Sequence, residues 1–416
     1  MKDMPAVWTT ATLKALPAKT VAKKNKGRNQ GSFRSQVKAL EFFEFILGHY
    51  LSLSEPGSKR LGGKRKYQTS ILSGILIVIP ALGVLGSPII SLDQSIIYMV
   101  VIMLHYLTLK ICIGSQERLH KLIDQIELFD KSFADTYAFE YPHGRNVWWG
   151  CLWVLLLLTF PIPFMLFFHD EIFSHFEGEP YSWIVEILSM TFHGSTVLQR
   201  SLIFVHFISI GRGMKFRFSL IKELLESELN KSEPGSSAAN LEWIRTHHAR
   251  LSVLVDSMNE SCCKRLIFPV LSIAVEFLYI FFRYVFRDDF HINPVMLANL
   301  LTNLLALKVV ASVSEAIALE SRMPLYVVRA VLISKLPFLC QAQIMMFQDQ
   351  ILANPVQISA GGFFNLDNKL LTELVLLIVT YCTVILQLVP NDEDDEDEPP
   401  KTELSNATSS EVNNTK

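Results

Sequence analysis

The sequence predicts an all-α membrane protein with seven transmembrane helices, its N-terminus cytoplasmic and its C-terminus extracellular. Three observations carry this. Half of the 416 residues are hydrophobic and the mean hydropathy is positive. Apolar runs of about 20 residues recur along the chain, enough at 1.5 Å per residue to cross a hydrocarbon core about 30 Å thick. Lys and Arg are abundant in alternate connecting segments and scarce in the others. A soluble protein of this size would alternate polar and apolar faces instead.

The spans are read at about 71–92, 95–113, 148–168, 183–209, 266–286, 295–316 and 367–389. The first two are joined by a very short turn at Ser91-Leu92-Asp93-Gln94. Residues 1–69 form a basic cytoplasmic segment with no signal-peptide h-region. Within it, 36–53 is amphipathic and too polar to span. Residues 70–389 form the transmembrane domain, and 390–416 an acidic, disordered extracellular tail.

Orientation follows from charge. Lys59, Arg60, Lys64, Arg65 and Lys66 precede the first span, and segments 114–147 and 210–265 are rich in Lys and Arg. Residues 169–182 hold Asp170, Glu171, Glu177 and Glu179 and no Lys or Arg. Basic loops stay inside, so seven spans put the C-terminus outside. The tail sequons at Asn406 and Asn413 agree, while Asn230 and Asn259 head sequons on the inner side, out of reach of glycosylation.

Two regions, about 211–265 and 318–366, are expected to form cytoplasmic helical anchors. Residues 215–230 and 240–261 read as helices around a breaker at Ser232-Glu233-Pro234-Gly235 and are expected to extend the fourth and fifth spans into the cytoplasm. The stretch 325–353 is fairly apolar but holds Arg329, Lys335, Gln341, Gln343 and Gln348. It is expected to be a cytoplasmic helix under the bundle; were it to span, the parity would flip. Net charge is only −2, so no nucleic-acid partner is implied. The six cysteines form no disulfide framework; Cys262 and Cys263, next to Lys264 and Arg265, are a weak palmitoylation signal.

The last span carries the strongest pattern. Glu373, Thr380 and Gln387 recur every seven residues, with Leu377 and Val384 filling the same stripe. Polar groups in hydrocarbon are costly, so the stripe faces either a bundle interior or water. It therefore lines a pore or makes helix–helix hydrogen bonds. In the pore reading Glu373 favours cations, Val384 and Leu388 close the outer end by dewetting, and Gln387 gives a neutral hydrophilic ring. Thr380 and Tyr381 are expected to hydrogen-bond to a neighbouring helix.

The stretch Gly361-Gly362-Phe363-Phe364-Asn365-Leu366-Asp367, followed by Thr380-Tyr381, five mostly hydrophobic residues, Gln387 and Leu388, resembles the C-terminal signature of insect gustatory and odorant receptors. Residues 249–286 are similar in kind to that family's long helix before the fifth span. The resemblance implies a gustatory receptor-like, ligand-gated non-selective cation channel in the plasma membrane. It implies a homo- or hetero-tetramer with related subunits, the final helix lining the pore and a small organic tastant as ligand. Two departures stand out: the acidic tail is long, and Cys382 follows Thr380-Tyr381 where sugar-receptor members often have Glu.

With that topology, the outer halves of the helices offer Phe164 and Phe168, Trp183 and His193, Tyr279, Phe282 and Tyr284, and Asn299 as ligand-lining candidates. Ionisable groups inside spans carry separate weight. Glu276 and Arg283 share a helix face one heptad apart, and Glu276 is expected to pair with Arg200 or another buried cation. No phosphate-binding glycine loop, His-Glu-x-x-His or clustered Cys/His spacing appears, so no enzyme, metal or cofactor is predicted. His247-His248 points two ways around a helix and is a poor metal site. Competing readings are a G-protein-coupled receptor, which needs the opposite orientation, and a secondary transporter, which calls for an internal repeat.

Overall fold

The computed structural model describes Phe33 and residues 92–134, 182–230, 238–286, 294–331, 334 and 336–387. These fold into long helices: α1 (Leu92–Ala134), α2 (Ser182–Leu229), α3 (Ala238–Ser261), α4 (Ile267–Phe286), α5 (Pro294–Ala330), α6 (Phe338–Ala353) and α7 (Lys369–Gln387). A short 3-10 turn, Cys263–Leu266, joins α3 to α4. Residues 71–91 and 148–168, the amphipathic stretch 36–53 and the acidic tail lie outside the described residues.

Among the described residues, four helical stretches are long and apolar enough to cross a membrane: Met99–Ala134, Ala238–Phe282, Leu300–Ala330 and Lys369–Gln387. The expected span 183–209 is helical along its whole length within α2. The helices outrun the spans read from hydropathy. α2 has 48 residues, about 72 Å at the standard rise, more than twice the hydrocarbon thickness. α1 likewise continues through its polar half to Ala134. Hydropathy marks where a helix is apolar, and backbone hydrogen bonding carries it on into the polar stretch.

Two boundaries differ from expectation. Leu92, Asp93 and Gln94, expected in a tight turn, already belong to α1. The stretch 325–353 is not one helix: 325–330 ends α5, and α6 starts after Pro337. Proline disfavours helical geometry in the residue before it and lacks an N–H, so the break falls there. α6 has 16 residues, about 24 Å, too short to cross the core upright.

One continuous buried cluster runs from Cys112 on α1 to Ile378 on α7. α2 and α5 form the most extensive pairing, α1 lies on α3 and α4, α6 on α3, and α7 on α4 and α5. The α2–α5 contact depends on Gly211: a β-carbon there would lie 2.7 Å from Val313 Cγ1. The missing side chain lets the two helices approach closely, as small residues do at membrane helix contacts.

Buried charges are tied across elements. Arg217 on α2 is fully buried and forks onto Asp130 of α1, its Nη1 also donating to Gly213 O at 2.8 Å. The Phe33 ring lies 5.0 Å from that guanidinium. Arg265, in the 3-10 turn, donates to Ser115 Oγ (2.7 Å), Gln116 Oε1 (3.1 Å) and Cys112 O (3.3 Å) on α1. These donors are satisfied, as buried guanidinium groups must be.

The histidine pair is structural. His248 Nε2 sits 2.9 Å from Ser321 O on α5, with its ring against the edges of Phe218 and Phe347. Burial pushes its pKa down to about 4, so it is neutral near pH 7. His247 turns the other way, stacking on Trp243 at 3.6 Å between ring centroids. Cys262 and Cys263 are both buried in the core, which removes the palmitoylation reading.

Candidate pore helix and its supporting contacts

α7 begins with a side-chain cap: the backbone N–H of Lys369 donates to Asp367 Oδ1 at 2.9 Å. An aspartate there also suits the positive end of the helix dipole. Leu370, Leu374 and Ile378, at spacing four, form the narrow buried face that meets α4 and α5. Glu373, Leu377, Thr380, Tyr381, Val384 and Gln387 are all exposed in the single chain. The polar stripe thus lies on the surface that this chain leaves uncovered. Leu388 lies outside the described residues.

The threonine hydroxyls of this helix bond their own backbone. Thr380 Oγ1 donates to Leu376 O of its own helix at 2.8 Å, and Thr383 does the same to Val379 O at 2.9 Å. Such back-bonding to residue i−4 is locally available to any helical threonine. Tyr381 is 51% exposed and turned away from its own bundle.

Arg200 on α2 and Glu276 on α4 form a two-pronged ion pair. Nη1 donates to Oε2 at 3.0 Å and Nη2 donates to Oε1. Arg200 is buried and Glu276 partly so. The fork fixes orientation as well as charge, and it staples two helices within the expected membrane region. Beside it, the amide of Gln199 is buried with neither its oxygen nor its nitrogen hydrogen-bonded.

The other ligand-lining candidates separate. Tyr279 and Phe282 are half-buried on α4. Tyr284 is 58% exposed. Trp183, His193, Arg283 and Asn299 sit on α2, α4 and α5, but their side chains lie outside the described residues. So do Phe164 and Phe168.

Sequence reading missed the contacts that hold the start of α7. Between α6 and α7 the chain turns back on itself, with a bridge between Ser359 and Asn365. Ala360 N–H donates to Phe364 O at 2.9 Å and Leu366 N–H to Ile358 O at 2.9 Å. Gly361 and Gly362 make the turn with φ of 62° and 82°, a region that favours glycine. Asn368, next to the cap, accepts from Lys308 Nζ at 2.7 Å and donates to Glu315, both on α5. The Gly-Gly pair was the only local signal of this turn.

A long all-helical bundle with a partly uncovered apolar final helix and a buried mid-helix ion pair defines a polytopic membrane protein. The chain belongs to the 7tm chemosensory receptor family, whose model matches residues 84–391. Its fold is similar to that of the insect olfactory receptor OR5 from Machilis hrabei. The eugenol complex of that receptor aligns with a TM-score of 0.65 at 12% identity, covering 85% of this chain and 98% of the receptor. A second structure of OR5 aligns at 0.63 with 13% identity over the same shares. No curated protein matches the sequence.

Proposed function

We propose that this chain is a gustatory receptor-like subunit of a ligand-gated, non-selective cation channel in the plasma membrane, opened by a small organic tastant. Four copies, or copies with related subunits, surround a pore lined by α7. The observation that carries the reading is the placement of Glu373, Thr380 and Gln387 on the face of α7 that its own chain leaves bare. A polar stripe there needs water or a second copy. The family match and the fold shared with an olfactory receptor whose structure is known in complex with eugenol support a small organic ligand.

The expected anchor regions fit subunit association. Phe338, Leu339, Met345 and Met346 on α6 are all more than half exposed, a concentration of apolar side chains that marks a contact surface. α6 and the hairpin after it would then sit at the cytoplasmic end, with the basic N-terminal segment on the same side.

The test is orientation first, then current. Both ends of the chain are tagged and stained in cultured cells before and after permeabilisation. The N-terminal tag is expected only after permeabilisation and the C-terminal tag before it. Ligand panels under whole-cell voltage clamp should then evoke cation current. A cytoplasmic C-terminus, or surface protein without current across the panel, would sink the proposal.

A further inference from the structure

Asn259, near the end of α3, spends both ends of its side-chain amide on the hairpin before α7. Its Nδ2 donates to Gln357 O at 2.8 Å, and Ser359 N–H donates to its Oδ1 at 3.3 Å. Residues 357 and 359 lie two apart on one extended edge. The asparagine therefore pairs with that edge as a neighbouring strand would, one donor and one acceptor. The other edge is closed by the hairpin's own bonds to 364 and 366.

The seat is tight as well as hydrogen-bonded. A β-carbon on Gly361 would lie 3.1 Å from Lys264 Cγ and 3.3 Å from Ile267 Cδ1. The turn thus rests on the 3-10 junction and the first residue of α4. Val356, Ile358, Ala360 and Leu366 are buried there. The junction also bonds α1 through Arg265, so Asn259 ties the hairpin to the point from which α4 departs.

What lies on each side of that point matters. α4 runs from it to Glu276 and the pair with Arg200. The hairpin runs from it, through Leu366 and the Asp367 cap, straight into α7. We propose that Asn259 is the positioning residue that transmits displacement of α4 to α7. Loss of its two bonds weakens the coupling of the helix carrying Glu276 to the final helix, leaving their direct packing alone. As an account of gating this rests on the reading of α7 as pore-lining. The mechanical link between α4 and α7 stands apart from it.

The experiment is a double-mutant cycle read by hydrogen–deuterium exchange on the full chain in lipid nanodiscs. The amides followed are those of residues 370–376. Asn259→Ala should speed their exchange by about tenfold, the scale of losing a hydrogen bond or two. Asn259→Asp, which keeps the acceptor for Ser359 and loses the donor, should give a smaller rise. Glu276→Gln should also speed exchange in α7, and that effect should be clearly smaller when Asn259 is already Ala. Arg200→Lys keeps the charge and loses the fork, and replaces Glu276→Gln if that variant does not fold. Additive effects, no response at 370–376 to Asn259→Ala, or no response to breaking the ion pair would each overturn the proposal. Failure of the channel reading would look different: no current from the wild-type chain, with the exchange cycle intact.

Discussion

The carboxylate of Glu276 receives both terminal nitrogens of Arg200, joining α4 to α2 through a forked ion pair in the expected membrane region. Arg200 is buried and has this carboxylate as its counter-charge. Removing one partner leaves a buried guanidinium uncompensated, which costs about 3 kcal/mol. Glu276→Gln should therefore lower the melting temperature of detergent-solubilised protein, followed by fluorescence-detected size exclusion. Glu276→Asp, which keeps the charge on a shorter stem, should lose less. Unchanged melting together with unchanged gating in Glu276→Gln would refute a role for the pair.

Accessibility separates the two faces of α7. Cysteine placed at Glu373, Thr380, Val384 or Gln387 should be modified by a cationic thiol reagent and lose current. Cysteine at Leu374 or Ile378, which are buried against α4 and α5, should be inert. Cys382 and Cys151 are replaced by Ser in the background chain, leaving the buried Cys112, Cys262, Cys263 and Cys340 beside each engineered thiol. No labelling at the stripe positions would show that the stripe does not border water.

Close packing at Gly211 predicts a rescue. Gly211→Ala pushes a methyl against Val313 Cγ1, at 2.7 Å before relaxation, and overpacking of this kind costs about 1–3 kcal/mol. Val313→Ala in the same chain opens the space. The double variant should recover most of the lost thermal stability, whereas independent sites would simply add their losses.

His248 sets an acid limit on stability. Its pKa is depressed to about 4 from an unfolded value near 6.5 by burial. Between those values the unfolded chain binds the extra proton, so stability falls as pH drops from about 6.5 towards 4. The loss at the lower end is on the order of 3 kcal/mol. His248→Gln keeps a donor for Ser321 O and removes the titration. Its melting temperature should depend less steeply on pH in that window, measured on purified protein; an identical slope would assign the acid sensitivity elsewhere.

Legibility differed by the kind of contact. The helical class, the approximate apolar stretches, the Thr380-Tyr381 to Gln387 signature and the stripe on the last helix were all readable, because each is periodic or local along the chain. So was the narrow choice of partners for Glu276, since charges in a span must find a counter-charge. The fork of Arg200 onto it, 76 residues away, was settled only by the packing of α2 on α4. Helix length was misjudged where α1 continues past its apolar window, whereas the continuation of the fourth span through 215–230 was legible; the 325–353 stretch was read as one helix where Pro337 divides it.

The sequence by itself determined a helical membrane protein, because hydrocarbon leaves an unpaired backbone no other solution and the apolar runs have the required length. It determined which face of the last helix is polar. Only the tertiary structure decided that this face is left bare by its own chain, that Arg265 and Arg217 are buried on α1, and that Asn259 clasps the hairpin leading into α7. Those are contacts between residues about 90 to 150 positions apart. No local pattern encodes them, since a single amide or guanidinium pairs with whatever the packing of helices brings within 3 Å or so of it.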